Sequence, residues 1–422
     1  MPLCCLNMKS SVIVLILYCQ VYAEAKVLHI DLAITGCSDS DGVDMYGLDG
    51  EEMWYADFNK GKGVVALPPF ADPINFPGAY EQAVGDQGVC KANLATCIKA
   101  YKNPPETIAP PHSSIYPRDD VELGAENTLI CQVSGFFPAP VRVRWTRNNQ
   151  NVTEGVRIST PYPNSDVTLN QFSSLSFTPE EGDIYGCTVE HKGLTEPLTR
   201  IWEPEVSQPS VGPAVFCGVG LTLGLLGVEY IRFNSTVGKY VGYTELGLKN
   251  AEAWNSDASF LAQEQGNLER FCKHNAAIYY SAILDKTAEP HVRLSSVTPP
   301  SGRHPAMLIC SAYDFYPKPI RVTWLRDGQE VKSDVTSTEE LANGDWYYQI
   351  HSNLEYTPKS GEKISCMVEH ISLTEPMMYH WDPSLPESER NKIAIGASGL
   401  VLGAILALAG LIYYKKKSSG VL

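Results

Sequence analysis

The side chains best placed to do chemistry in this chain are its cysteines and a few amide, imidazole and indole groups. Twelve cysteines occur in 422 residues. Cys131 and Cys187 are 56 positions apart, as are Cys310 and Cys366, and a tryptophan (Trp145, Trp324) follows the first of each pair by 14. That recurrence suits covalent bridging of a closed unit, and no metal-ligand spacing recurs. No histidine stands beside a serine or cysteine in a context that would make a nucleophile of it. Trp254, His274 and Asn275 offer hydrogen bonds instead: Asn275 donates and accepts, and His274 and Trp254 each donate from a ring nitrogen. These features describe a binding protein, not an enzyme, with no cofactor or metal expected.

The elements that hold those groups come in two copies. "CQVSGFFPAPVRVRW" (Cys131–Trp145) returns as "CSAYDFYPKPIRVTW" (Cys310–Trp324), and "CTVEHKGLTEP" (Cys187–Pro197) returns as "CMVEHISLTEP" (Cys366–Pro376), each displaced by 179 positions. Alternation in "VRVRW" and "IRVTW" turns one face inward, and a tryptophan packed on a bridge between sheets marks an immunoglobulin constant-type sandwich. Closing so long a loop stabilises by roughly 4 kcal/mol in the chain-entropy model. Tyr185, two before Cys187, occupies a tyrosine-corner position, whereas the second copy has Ile364 there.

Charge and hydropathy bound the setting. A net charge of −15 argues against nucleic acid or anionic lipid as the main partner. Lys9, the apolar run Val12–Tyr18 and the small residue Ala23 predict a signal peptide over residues 1–23, and so an oxidising destination for the nine cysteines that remain. Ile393–Tyr414 is an uncharged run of 22 residues followed by Lys415–Lys417. At about 1.5 Å per residue it spans roughly 33 Å, against about 30 Å for a bilayer core, and the basic flank predicts a cytoplasmic tail over 415–422. A second apolar segment, Val211–Val228, has only 18 residues, contains Pro213 and five glycines, and runs into Glu229.

Ahead of each sandwich lies a segment of a different kind. "KVLHIDLAITGC" and "EEMWYADFN" alternate like strands, and Gly78–Tyr101 then carries Tyr80, Ala83, Cys90, Leu94 and Cys97 at helical spacing, ended by Pro104-Pro105. In the second half Trp254, Ala258, Leu261, Gln265, Leu268, Cys272, Asn275 and Tyr279 recur in steps of three and four, which predicts one long amphipathic helix.

"GFFPAPVRVRW", "CTVEH…LTEP", "DFYPKPIRVTW" and "CMVEH…LTEP" resemble the membrane-proximal domains of major histocompatibility complex (MHC) class II α and β chains, in that order. "MYGLDGEEMWYADF" resembles a class II α-chain groove strand pair of teleost type. The resemblance covers nearly all of the mature sequence. It implies α+β groove halves, each an antiparallel sheet plus a helix, on two all-β immunoglobulin sandwiches with membrane-spanning helices. The expected order is an α-type groove half (24–106), its sandwich (107–204), a truncated membrane-like segment (211–228), an incomplete β-type groove half (229–286), its sandwich (287–383) and a transmembrane helix (393–414).

The same resemblance implies extended peptides as ligand. A receptor for many sequences must bind the main chain they share. "AWNS" and "CKHNAA" place main-chain contacts on Trp254, His274 and Asn275, and "CKANL" places another on Asn93. Trp254 to Asn275 is 21 residues, about 31 Å of helix, against roughly 30 Å for nine extended residues. Asp86 and Ala100 stand where many members have an asparagine and an arginine, Asn250 replaces an aspartate, and Ala33 stands near an expected glutamine. The implied partners are antigenic peptides, the T-cell receptor and its helper coreceptor, an invariant-chain-like chaperone, a complementary class II chain and the membrane. The expected location is the cell surface and endosomal compartments, as a single-pass type I protein. A peptide-exchange chaperone and an immunoglobulin-type adhesion receptor are the alternatives.

Cys37 is in reach of Cys90 or Cys97, which lie too far apart along one helix to bridge each other; Cys37–Cys90 is favoured, with Cys97 free. Cys272 resembles a β-chain cysteine whose strand partner is absent here. "EYIRFNSTVGKY" resembles the third strand of a β-type floor, so roughly two strands are missing at the join. The chain reads as two coding units joined with loss of material, and poor peptide presentation is expected of it. GxxxG patterns occur in both apolar segments (Gly220–Gly224, Gly399–Gly403). If Val211–Val228 spanned a membrane, the second half would face the cytosol; if not, an apolar segment needs cover. Asn151 and Asn234 head glycosylation sequons, Asn151 in an expected turn.

Overall fold

The computed structural model describes residues 29–101, 106–204 except 165 and 167, 231–297 except 236, 243 and 244, and 306–381 except 358, 360 and 361. The signal segment, both apolar segments with their GxxxG patterns and Cys217, and the basic tail lie outside these residues. Among the described residues no helix is long and apolar enough to cross a membrane.

Four antiparallel strands open the described chain: β1 (Asp31–Cys37), β2 (Gly42–Leu48), β3 (Glu51–Asp57) and β4 (Lys62–Val65), paired in that order. Helix α1 (Ala79–Tyr101) follows them. Asp49 and Gly50, both at positive φ, turn β2 into β3. The second half is shorter. Ahead of its sandwich the described residues hold one hairpin, Ile231–Asn234 with Lys239–Gly242, forming a two-stranded sheet separate from β1–β4.

The single long helix expected over Trp254–Tyr279 is broken. It runs as α2 (Glu245–Asn255), α3 (Ala258–Asn267), a π-helical turn over Leu268–Lys273, α4 (His274–Tyr279) and a second π turn over Tyr280–Leu284. Asp257, extended at φ −98°, ends the first piece and caps the next by accepting from the N–H of Ser259 and Phe260. A π turn widens the helix and shifts the stripe behind it. Of the expected stripe, Ala258, Gln265 and Cys272 are exposed, Leu261, Leu268 and Asn275 are half-buried and Tyr279 is buried.

Both sandwiches form two antiparallel sheets, and their bonds repeat with the sequence. In the first, Asn127–Phe136 pairs with Leu169–Phe177 and Arg142–Arg147 with Tyr185–Glu190; in the second, Ala306–Phe315 pairs with Tyr348–Tyr356 and Ile320–Arg326 with Ile364–His370. Disulfides join Cys131 to Cys187 and Cys310 to Cys366. Trp145 and Trp324 are buried and donate from Nε1 to Ser173 Oγ at 2.9 Å and Ser352 Oγ at 3.0 Å. His191 and His370 donate from Nε2 to the carbonyls of Pro138 and Pro317, at 2.7 and 2.8 Å. Tyr185 donates to Asp183 Oδ2, and burial pushes its phenol up to about 12, with the Asp183 hydrogen bond adding to the shift. Asp183 is also desolvated, but hydrogen bonds from Arg147, Asn148 and Tyr185 outweigh that and hold its carboxyl low.

The second sandwich is welded to the four-stranded floor. One apolar core contains Leu48 and Met53 of the floor, Tyr279 and Ile283 of the second helix, and Leu308, Phe315 and Trp346 of the second sandwich. Trp346 has φ +76°, a region that costs a bulky L-residue about 1–2 kcal/mol. Its indole is held there by hydrogen bonds to the carbonyls of Glu52 at 3.0 Å and Ala66 at 3.1 Å, and its backbone N–H donates to Glu51 Oε2 at 3.3 Å. Phe70, in the loop before α1, stacks on Tyr316 at 4.8 Å. Arg118 ties the two sandwiches together, reaching Asp345 at 3.1 Å and Asp314 at 3.4 Å.

Candidate functional site: a sheet floor under two helical walls

Strand register decides which side chains face the walls. Ala33 lies opposite Tyr46, Thr35 opposite Asp44, and Tyr46 opposite Trp54, so alternation puts these groups on one face. Tyr46 and Trp54 stack at 5.0 Å, with Phe76 6.2 Å from Trp54. Gly63 lets Trp54 lie close, since a Cβ there would come within 2.5 Å of the indole.

Helix α1 is fastened across this face at consecutive turns. Ala79 and Ala83 pack on Trp54. Gln87 donates from Nε2 to the carbonyls of Gly36 at 3.1 Å and Val43 at 2.9 Å, and Cys90 bridges to Cys37. Positions 79, 83, 87 and 90 mark one helix stripe. Replacing Gln87 by alanine is expected to cost about 1–2 kcal/mol, because two half-buried carbonyls lose their donor. Faster amide hydrogen exchange along α1, with the sandwiches unchanged, is the measurement that checks it.

Beyond the bridge the wall is open. Asn93 and Cys97 are exposed, and Cys97 is a free thiol. Under the wall, Asp44 is only 3% exposed and accepts from Thr35 Oγ1 at 2.7 Å. Burial raises its pKa, the Thr35 hydrogen bond opposes this, and nearby Asp86 adds to it.

On the opposite wall the expected contacts have occupations within the chain. Trp254 is half-buried in an aromatic cluster, 4.9 Å from Tyr240 and 5.7 Å from Phe260. Neighbouring Asn255 clamps the hairpin, donating to Tyr240 O and accepting from Tyr240 N–H, both at 2.8 Å. His274 is exposed at the start of α4. Asn275 donates from Nδ2 to Asp31 Oδ2 at 3.4 Å, crossing to the first floor strand. Burial raises the Asp31 carboxyl, while hydrogen bonds from Asn275 and Tyr279 pull it down. Among the described residues no hydrogen bond joins any two of Asn93, Trp254, His274 and Asn275. Cys272 is free and exposed. The described residues hold no cluster of His, Cys, Asp or Glu suited to a metal.

Gln87, Asp31 and Asn255 carry connections that sequence reading missed. Gln87 falls on the α1 stripe, which was its one available signal. Asn255 and Asp31 find their partners through tertiary placement alone.

The class II histocompatibility antigen α-domain family model matches residues 30–107, and the corresponding β-domain model matches 227–280. The immunoglobulin C1-set model matches twice, at 113–194 and 292–373. The DR-1 beta chain of Canis lupus familiaris is 38% identical over 192 residues, covering 46% of this chain and 72% of that relative. The chain belongs to the MHC class II family. The human DQ beta 1 chain is 39% identical over 194 residues, covering 46% and 74%, and the mouse E-D beta chain is 38% identical over 192 residues, covering 46% and 72%. The α-type, C1, β-type and C1 matches follow one another in tandem, the order of a class II α chain followed by a β chain. Its β-type floor comprises two strands among the described residues.

Proposed function

We propose that this class II chain binds extended peptides between its two walls and displays them to helper T cells, through a T-cell receptor and its coreceptor. The observation that carries this reading is the α-type half: a four-stranded floor crossed by a helix pinned at Ala83, Gln87 and Cys90, within a class II chain. Asn93 and His274, both exposed, are the side chains freest to bond a peptide main chain. Asn275 and Trp254 would first have to leave Asp31 and the Tyr240 cluster. That cost, with the two-stranded β-type floor, supports weaker presentation than a complete pair of chains would give. Asn151 is proposed as a glycan acceptor; it is exposed on the edge strand Gln150–Val152, not in a turn. Asn234 is proposed as a second acceptor; its Oδ1 accepts from Val237 N–H, at the turn of the hairpin.

Acid elution of the purified full chain, followed by mass-spectrometric sequencing, tests the reading. Nested sets of mixed peptides are expected. Material free of peptide would favour a non-presenting relative.

A further inference from the structure

Two apolar segments flank the second half, and contacts between the halves decide what the first of them can do. Tyr116, before the join, donates to the carbonyl of Ala342, after it, at 2.7 Å. The Asp72 N–H donates to Ala282 O at 3.0 Å, Arg118 meets Asp345, and the Trp346 indole is bonded to floor carbonyls. These contacts draw on both groove halves and both sandwiches, and one core joins the four-stranded floor, the end of the second helix and the second sandwich.

A bilayer core about 30 Å thick cannot lie between groups in hydrogen-bond contact. The connection between the described halves, residues 205–230, has 26 residues. A return trip through the membrane takes about 40, at roughly 20 apolar residues per crossing. The net number of crossings between residues 204 and 231 is therefore zero. Each half also carries a disulfide, which calls for an oxidising compartment.

We infer that residues 29–204 and 231–381 lie on the same, disulfide-forming side of the membrane, so that the join between them is not a membrane crossing. The membrane-like composition of Val211–Val228 then contributes no transmembrane anchor. Any membrane-crossing anchor then lies outside residues 29–381. The inference is independent of peptide binding and stands or falls apart from it.

Cys97 and Cys272, free and exposed on opposite sides of the join, supply the probes. Full-length chain in sealed microsomes is treated with a membrane-impermeant maleimide, and labelled sites are mapped by mass spectrometry. Microsomes keep the lumen inside, so neither cysteine should label until the vesicles are opened with detergent; then both should label alike. Labelling of Cys272 in sealed vesicles, with Cys97 still protected, would place the halves on opposite sides and overturn the inference. A Cys272→Ser control identifies the adduct. As a second readout, Asp334→Asn creates an Asn-Val-Thr acceptor at an exposed turn of the second sandwich, where positive φ already suits asparagine. An endoglycosidase-sensitive mass increase is expected. Its absence, while Asn151 is modified in the same molecules, would count against the proposal.

Discussion

Replacing Trp346 by alanine is expected to destabilise the chain by about 3–5 kcal/mol, the range for removing a large aromatic from a packed core. The indole is 1% exposed and sits where floor, second helix and second sandwich share one core. Its loss also leaves the carbonyls of Glu52 and Ala66 without their donor. Against a typical domain stability of about 5–15 kcal/mol this is a large fraction. Denaturant unfolding, followed by far-ultraviolet circular dichroism, should show a markedly lower midpoint. A midpoint within error of the parent would mean that floor and sandwich do not depend on this contact.

The second large effect is on pH. Glu51 is buried, and burial pushes its carboxyl up to about 8; hydrogen bonds from the Trp346 N–H and Tyr348 O–H oppose this, while Asp345 and Glu52 reinforce it. In the unfolded chain the group titrates near 4.5. Below that pH both states are protonated and the group costs nothing. Between about 4.5 and 8 only the folded state keeps the proton, so each pH unit lowers stability by about 1.4 kcal/mol; above 8 both states are ionised and the loss is complete. Glu52 and Asp345, also raised by burial, act in the same direction. The melting temperature is therefore expected to fall steadily from pH 5 to pH 8. Glu51→Gln keeps an acceptor for Trp346 without the charge, so it should match the parent at pH 5, exceed it at pH 8 and show a shallower slope. An unchanged slope would remove Glu51 from this explanation.

The two sandwiches were legible because their determinants are local or periodic: a cysteine spacing, a tryptophan at a fixed offset and strand alternation. The α-type floor and wall were legible for the same reason, with Tyr80, Ala83, Cys90 and Leu94 at least half-buried along α1, although Cys97 of the same expected stripe is exposed. The second wall was misread because spacing in steps of three and four cannot reveal a π turn. Asp257, an N-cap residue between two helical runs, was the available sign of the break. Partners hundreds of residues apart left no trace of that kind. Adjacent Glu51 and Glu52 on a strand suggest one carboxylate facing water, yet Glu51 meets Trp346 and Glu52 is bonded by Thr160 of the first sandwich. Asn275 looks like a solvated helix residue until Asp31, 244 positions away, is beside it.

Native-state hydrogen exchange of the full-length chain tests most directly whether the halves form one body. Amides of Met53–Ala56 in the floor and Leu308–Ala312 in the second sandwich should open with the same free energy, and both should lose protection together in Trp346→Ala. Floor amides that exchange many-fold faster than the sandwich, and do not respond to that substitution, would contradict the account.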